Sequence, residues 1–321
     1  MIARAVDSEH FTLHKLADGV HAAIAVPGKG ALSNSGLVDL GDDTVVFDSF
    51  TTPAAARDLR KAAVRLTGRE PSIVVISHHH SDHWLGNQVF SGRTSIWSTT
   101  RNRELMIEDM NGWLGETIKD PRVLEQDLVN LDEQIASASG PRLRQALENT
   151  LATRRLVVDA LLEVDLRPPD QTFDTTLTVE GTVRSAEFHI VEHGHTESDV
   201  YMLLPAERVA FLGDLAFFES HPFMPDSDPD QWVAFLEKAE AFRVDAFVPG
   251  HGRLGTADDV KAVKEYIKSL RRLAAGVVAK GGTADDAVAL PLPPPFDSWV
   301  DGRGRFELNM RFLFDKLSPG S

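Results

Sequence analysis

A short run of β-branched residues that leads into a cluster of histidines constrains the fold of this chain more than any other feature. Residues 72–77 read Ser-Ile-Val-Val-Ile-Ser, the pattern of a strand buried on both faces, as in the parallel sheets of α/β proteins. Residues 78–83, here called the ligand loop, follow at once and read His-His-His-Ser-Asp-His. Because α/β proteins place their sites at the carboxyl ends of central strands, the sequence predicts a functional site on this loop.

The spacing within the ligand loop predicts bound metal. On an extended loop, the side chains of His78 and His80 point to one side and can contact the same ion. Asp82 and His83 are then directed past it, towards a second ion. Imidazole and carboxylate groups are suitable ligands for zinc and similar metals. The alternative is a polar turn with hydrogen-bonded histidines, and His79, which alternates out of the ligand face, fits that alternative better.

Composition excludes several kinds of site and partner. The 321 residues include no cysteine, so thiolate ligands, disulfides and cysteine nucleophiles are ruled out. The net charge of −15 disfavours nucleic-acid binding. No apolar stretch approaches the ~20 residues that span a membrane, and residues 1–10 lack the apolar segment of a secretory signal. We therefore expect a cytoplasmic protein that acts on a small-molecule substrate, with no nucleic-acid or membrane partner.

Three further candidate ligands lie downstream, each near the end of a predicted strand and directly after a glycine. They are His195, Asp214 and His251. Glycine allows the backbone to turn and approach closely at these places. Taken singly, Asp214 could instead be a turn or cap residue, and each histidine could be an ordinary loop residue. Because the ligand loop cannot complete a metal site alone, we interpret all three as ligands.

Four motifs together resemble the metallo-β-lactamase fold superfamily. They are His-x-His-x-Asp-His at 78–83, Gly-His-Thr at 194–196, Gly-Asp at 213–214 and Pro-Gly-His-Gly at 249–252. The resemblance covers residues from about 20 to 275, and it is far more specific for fold and metal site than for substrate. It implies an α/β protein: an αββα sandwich of two mixed β-sheets flanked by helices, with the site at one edge.

The resemblance also implies two divalent metal ions, with zinc expected and iron or manganese as alternatives. The implied ligands are His78, His80 and His195 for the first ion, Asp82, His83 and His251 for the second, and Asp214 as the bridge. A hydroxide bridging the ions would attack an ester, lactone, thioester or amide carbonyl of a small molecule. Asp82 is also the candidate catalytic residue, since its carboxylate could carry a proton to the leaving group.

Four other residues are candidates for supporting or substrate-contacting positions. Asp48 ends a predicted buried strand and could orient a ligand histidine, although a turn residue would look the same. Trp84 follows the ligand loop and could shape the pocket or pack in the core. Thr196 follows His195, and His221 follows the strand that carries Asp214.

The remaining pattern predicts a single domain over 1–321 with two helical additions. Strands are expected at 20–26, 36–40, 43–47, 72–77, 172–179, 183–191, 200–204, 209–212 and 246–248, and helices at 52–66, 229–242, 257–275 and 306–317. A helical insert at about 101–165 contains an αα-hairpin, and a C-terminal helical extension covers about 256–321. We expect the insert to cap the site or to form a homodimer contact.

Asp214 and the absence of cysteine favour the glyoxalase II and lactonase-like dinuclear branch among the family's subgroups. Two other activities stay open, a mononuclear-iron persulfide-type dioxygenase and a β-lactamase of broad specificity. A non-catalytic binding module is a third hypothesis, which predicts degraded ligand positions. All seven positions are occupied in this sequence.

Overall fold

Two β-sheets packed face to face, with helices on both outer sides, form the body of the chain. A computed structural model of the protein describes residues 8–90, 92–138, 140–300 and 302–318. The predicted αββα sandwich of two mixed sheets is confirmed. The prediction that residues 1–10 are not a secretory signal concerns mostly residues 1–7, which lie outside the described residues.

The first sheet has seven strands arranged in chain order. They are β1 (Phe11–Ala17), β2 (Val20–Ala25), β3 (Ser35–Asp39), β4 (Thr44–Phe47), β5 (Ile73–Val75), β6 (Ser95–Ser98) and β7 (Gln171–Thr172). The first four pair antiparallel, whereas β4 to β7 run parallel. The strand β5, which leads into the ligand loop, is therefore a central parallel strand, as its β-branched sequence predicts.

The second sheet has five strands in the order β12-β11-β10-β9-β8. They are β8 (Leu177–Glu180), β9 (Ser185–Glu192), β10 (Ser198–Leu204), β11 (Val209–Phe218) and β12 (Ala246–Gly252). Only the pair of β11 and β12 is parallel. Phe47 of the first sheet packs against Phe188 and Phe211 of the second, with ring centroids 6.5 and 6.2 Å apart, in the core between the sheets.

Helices cover the outer face of each sheet. They are α1 (Pro53–Thr67), α2 (Thr100–Asn111), α3 (Trp113–Lys119), α4 (Glu125–Ser137), α5 (Pro141–Leu161), α6 (Pro229–Ala239), α7 (Ala257–Ala279), α8 (Ala284–Val288) and α9 (Gly302–Leu317). Leu59 of α1 packs on the first sheet, whereas Trp232, Ile267 and Met310 of α6, α7 and α9 belong to the core on the second.

Local chemistry fixes the ends of these helices. The Thr52 side chain accepts a hydrogen bond from the Ala55 amide, Pro53 occupies the first turn, and Gly68 ends α1 in the left-handed conformation. At α7, Thr256 and Asp259 form a reciprocal capping box. These signals are local in sequence, which is why the predicted helix bounds lie close to the observed ones.

Three strand predictions differ from the structure, among them the one at 246–248, which β12 extends to Gly252. The strand predicted at 172–179 is two strands, β7 in the first sheet and β8 in the second, because the chain crosses between the sheets there. The strand predicted at 209–212 continues to Phe218, past Asp214. Its pairing with β12 is irregular around Gly213, whose φ of 53° produces a bulge without ending the strand.

The segment predicted as a helical insert is helical in the structure, from α2 through α5. In α4 no residue is buried. Six of the ten large exposed hydrophobic side chains among the described residues lie here: Trp113, Val123, Val129, Leu143, Leu156 and Leu162. These are the apolar side chains that a dimer contact through the insert would bury. Among the described residues, no helix is both long and apolar enough to cross a membrane.

The homodimer contact through the insert stays a prediction, and light scattering tests it. We expect the protein to elute with twice the 35.3 kDa mass of the chain. The double variant Val129→Glu, Leu143→Glu should be monomeric, because burying unpaired carboxylates in an apolar contact is costly. Leu308→Glu makes the same change at an exposed position of α9 and should leave the mass unchanged. A monomeric wild-type protein at every concentration would contradict the prediction.

Candidate metal centre

The seven predicted ligands come together at one edge of the sandwich, although they lie in four separate segments. The ligand loop follows β5, and its last three residues, Ser81–His83, form a 3₁₀ turn. His195 lies in the turn between β9 and β10, Asp214 within β11, and His251 within β12. Each sheet therefore supplies one side of the cluster.

One group of ligands contains His78, His80, His195 and Asp214, whose donor atoms all lie within 4.8 Å of one another. His80 Nδ1 is 3.1 Å from His195 Nε2. Asp214 Oδ2 is 3.4 Å from His195 Nε2 and 3.7 Å from His78 Nε2. Three imidazoles and one carboxylate oxygen thus converge on one small volume.

A second group contains Asp82, His83 and His251, also within 4.8 Å of one another. Asp82 Oδ2 is 3.2 Å from His251 Nε2 and 3.6 Å from His83 Nε2. The other oxygen of Asp214, Oδ1, is 3.1 Å from His83 Nε2 and 3.4 Å from His251 Nε2. Asp214 therefore lies between the two groups, with one oxygen directed at each.

The donor atoms fit a bound cation in each group. His78 Nε2 is buried and makes no hydrogen bond within the described part of the chain, and the 3.7 Å to Asp214 Oδ2 is too long for one. A buried polar atom without a partner requires an explanation. Nitrogen and oxygen donors that converge in this way match the ligand preference of zinc and related divalent metals.

Asp48 determines which nitrogen two of the histidines present. Its Oδ2 lies 2.8 Å from His83 Nδ1 and accepts a hydrogen bond from Ser77 Oγ at 2.8 Å. Since that hydroxyl gives its only proton to Asp48, it accepts from His78 Nδ1, 2.9 Å away. Both His78 and His83 therefore direct Nε2 at the cluster, and Asp48, held with a left-handed φ of 62°, contacts one directly and the other through Ser77.

Burial and charge divide the histidines into two kinds. Burial holds the pKa of His78 and His195 well below the ordinary value, so both are neutral. Burial acts in the same direction on His83 and His251, but neighbouring carboxylates outweigh it. The pKa of His83 is raised well above its ordinary value, and that of His251 is raised to about 10. His83 and His251, which lie beside Asp82 and Asp214, are thus protonated at neutral pH when no metal is bound.

Two glycines allow the strands to approach one another at the cluster. A Cβ added to Gly250 would lie 1.8 Å from Asp214 Oδ1, and one added to Gly213 would lie 2.8 Å from the Ser77 Cβ. No side chain fits at either place without displacing the ligand or its neighbour. The glycines that precede Asp214 and His251 in the sequence are therefore required by close contact.

The other predicted site residues lie at different distances from the cluster. Trp84 is wholly buried in the core under the first sheet and donates its indole N–H to the His79 carbonyl, so it does not line the pocket. Thr196 Oγ1 bonds to Ser198 and Asp199 in the turn after His195. His221 is buried against Tyr266, with Nδ1 2.9 Å from the phenol oxygen, outside both ligand groups.

Sequence reasoning missed several residues that contact the ligands or the backbone beside them. Asp226 Oδ2 lies 2.8 Å from His80 Nε2. The Phe217 ring stacks on His251, with centroids 5.1 Å apart and planes 9° from parallel. Asn34 donates to the carbonyls of Pro249 and Gly252 on either side of His251. Asp226 and Asn34 lie in loops, where their residue type alone carries no distinguishing signal.

The helical insert packs beside the cluster. Asn102 of α2 donates to the carbonyl of Ser77, the residue before the ligand loop. Arg101 pairs with Glu197, two residues after His195, at 2.8 Å. On another side, Thr153 of α5 accepts a hydrogen bond from the Gly28 amide in the loop between β2 and β3. These contacts support the prediction that the insert flanks the site.

Comparison with known proteins agrees with this architecture. A model of the Metallo-beta-lactamase superfamily matches residues 28–251. The crystal structure of the DIM-1 metallo-beta-lactamase is 17% identical, with a TM-score of 0.55 over 82% of this chain and 99% of that chain. A metallo-beta-lactamase from Pontibacter korlensis is 16% identical, with a TM-score of 0.56 over 80% of this chain and 99% of that one.

A longer enzyme matches more of this chain. The stereoselective inverting sec-alkylsulfatase Pisa1 from Pseudomonas sp. is 16% identical, with a TM-score of 0.64 over 95% of this chain and 50% of that one. No curated protein matches the sequence. At these identities the solved structures show a shared fold. The matched family region, in contrast, covers more than half of the chain and contains all seven predicted ligands. The chain therefore belongs to the metallo-beta-lactamase superfamily of metal-dependent hydrolases, as its four motifs predict.

Proposed function

We propose that this protein is a dinuclear hydrolase of the glyoxalase II and lactonase-like branch, which cleaves an ester, lactone, thioester or amide of a small molecule. The observation that carries the proposal is the position of Asp214. Its two oxygens face two separate donor groups, with every distance between 3.1 and 3.7 Å. A single-metal centre would not need a carboxylate shared in this way.

The proposed ligand set follows the two groups. His78, His80 and His195 would hold one ion, Asp82, His83 and His251 the other, and Asp214 both. Bound divalent ions, most simply two Zn²⁺, with iron or manganese as the alternatives, supply Lewis acidity towards the scissile carbonyl and lower the pKa of a coordinated water.

Exposure indicates the side from which substrate approaches. His78, His83, His195 and Asp214 are buried, whereas the side chains of His80, Asp82 and His251 remain 18–19% exposed. Substrate would therefore bind over these three residues, with the buried ligands beneath. Asp48 holds His83 from below, so the ligand geometry is set before substrate arrives.

Asp82 is the proposed proton carrier because it lies on this open side. Burial favours its neutral form, but His83 and His251 outweigh burial and hold the pKa of Asp82 well below its usual range. Its carboxylate is thus ionised at neutral pH and able to accept a proton, which it could pass to the leaving group.

A sulfate ester is the second candidate substrate class. The match to the sec-alkylsulfatase extends over 95% of this chain, against 80–82% for the two lactamases. The alkylsulfatase therefore aligns with parts of this chain that neither lactamase matches. The alternative activities from the sequence, β-lactam hydrolysis and iron-dependent persulfide oxidation, remain distinguishable by substrate and by metal content.

A hydrolysis screen of the metal-analysed protein tests the proposed reaction. We expect turnover of a lactone, thioester or aryl ester, compared in parallel with amides, β-lactams, phosphodiesters and alkyl sulfates. His80→Ala should lower kcat/KM by more than the ~100-fold that loss of an outer-shell partner can cost. Full activity in that variant would refute the site, cleavage of alkyl sulfates alone would favour the second candidate, and a content of one iron with no zinc would favour the dioxygenase.

Replacing Asp214 tests the two-metal centre separately from activity. Asp214→Ala removes both oxygens that face the donor groups, so we expect the metal content measured by elemental analysis to fall from two ions per chain to one or none. Asp230→Ala, an exposed carboxylate paired with Arg271, is the matched control and should keep two. If Asp214→Ala still binds two ions tightly, the bridging role is wrong.

Proton release on metal loading follows from the two raised pKa values. At about pH 6, roughly one unit below the pKa near 7 of a zinc-bound water, His83 and His251 carry protons that metal must displace. His78 and His195 are neutral and contribute none. An indicator dye in weakly buffered solution should report protons released as the metal-free protein is loaded. His251→Ala should release about one proton fewer per chain than the wild type, and release of none by the wild type would contradict the proposal.

A further inference from the structure

His80 is held from outside the cluster through the opposite ring nitrogen from His78 and His83. His78 and His83 use Nδ1 for Ser77 and Asp48, which directs Nε2 inward. In His80 the nitrogen that faces His195 is Nδ1, and Nε2 points outward to Asp226 Oδ2 at 2.8 Å. The ring is therefore reversed, and its outer partner comes from a different part of the chain.

The segment that carries Asp226 is held firmly on both sides. Before it, the Met224 amide donates to Asn309 Oδ1, and Asn309 Nδ2 donates to the Pro222 carbonyl. Asn309 belongs to α9 and is wholly buried. After it, the Asp228 amide donates to the carbonyl of Gly194, the residue that precedes His195. The C-terminal helix and the His195 turn thus fix the backbone from which Asp226 reaches His80.

An aromatic contact restricts the same imidazole. The Phe223 ring lies edge-on to His80, with centroids 5.5 Å apart and planes at 82°. The guanidinium of Arg305, also from α9, lies 5.1 Å from the centre of the Phe223 ring. The segment from Pro222 to Asp228 therefore contacts His80 twice: Phe223 packs against the imidazole ring, and Asp226 bonds to Nε2.

We propose that Asp226 is a positioning residue for the first metal: it accepts a hydrogen bond from Nε2–H of His80 and so leaves the Nδ1 lone pair for the ion. A neutral imidazole has one donor and one acceptor nitrogen, and the bond made by one nitrogen sets the role of the other. Without Asp226, the proton can move to Nδ1, and the ring can rotate at its partly exposed position. The inference rests on the metal centre proposed above, and it gives the C-terminal extension a part in that centre.

An alternative role for Asp226 is as a ligand. The donor atoms of His79, His80 and Asp226 also lie within 4.8 Å of one another. In that arrangement His80 Nε2 and Asp226 would both bind metal, so removing the carboxylate would remove a bound ion. Under the positioning role, the number of ions stays the same and only the affinity falls.

Metal affinity of the full chain, measured without substrate, tests the proposal. Metal-free protein is titrated with Zn²⁺ against a chelator and with Co²⁺ while the visible spectrum is recorded. We expect Asp226→Ala to weaken the first site by about 10- to 100-fold, to change the Co²⁺ spectrum, and to keep two ions at saturation. Asp226→Asn, whose amide oxygen can still accept a hydrogen bond from Nε2–H, should recover most of the affinity.

Asp230→Ala is again the matched control, because that carboxylate pairs with Arg271 and not with His80. Thermal melting of the metal-free proteins should show Asp226→Ala folded like the control, since Asp226 is half exposed in a loop. If Asp226→Ala keeps the wild-type affinity and spectrum, the positioning role is wrong, while the proposed metal centre is unaffected. If it loses one bound ion, Asp226 is a metal ligand and not a positioning residue. If the wild type binds no Zn²⁺ or Co²⁺, the proposed metal centre fails, and this inference fails with it.

Discussion

A buried carboxylate between four imidazoles is the interaction on which the rest of the site depends. Asp214 is only 4% exposed, and burial alone would make its charge costly. His83 and His251 hold its pKa well below the ordinary value despite that burial. Without metal, the protonated histidines compensate the charge; with metal, the ions would take over that task. The same carboxylate is therefore compensated in the metal-free protein and, in the proposed dinuclear centre, would join two ions.

That carboxylate also explains how the two sheets depend on each other. Asp214 lies in the second sheet, yet each of its oxygens faces a histidine of the ligand loop, which follows β5 of the first sheet. Gly250 and Gly213 are the positions where side chains would prevent this approach. Small changes in how the sheets pack would change the distances in both donor groups at once. The geometry of the site therefore depends on the packing of the core between the sheets.

Sequence alone predicted the parts of this arrangement that are local or that recur as motifs. The strand before the ligand loop, the helices with caps, and the family were predicted correctly from such patterns. Trp84 could not be assigned, because a tryptophan beside a site has the same sequence whether it lines a pocket or packs below it. Asp226 was missed since its partner, His80, is 146 residues away, and only tertiary structure brings them together. The crossing after β7 was missed because residues 172–179 read as continuous strand.

The division of exposure suggests where substrate choice and chemistry reside. The buried ligands and Asp48 lie beneath the open side, so substitutions there would affect metal binding before they affect substrate selection. The open side over His80, Asp82 and His251 is different, because its surroundings come from elements outside the two sheets. These are α2, which bonds to Ser77, the loop between β2 and β3, whose Ser33 donates to the Asp82 carbonyl, and the segment that carries Asp226. The same metal chemistry can thus serve different substrates when these segments vary while the sheets stay constant.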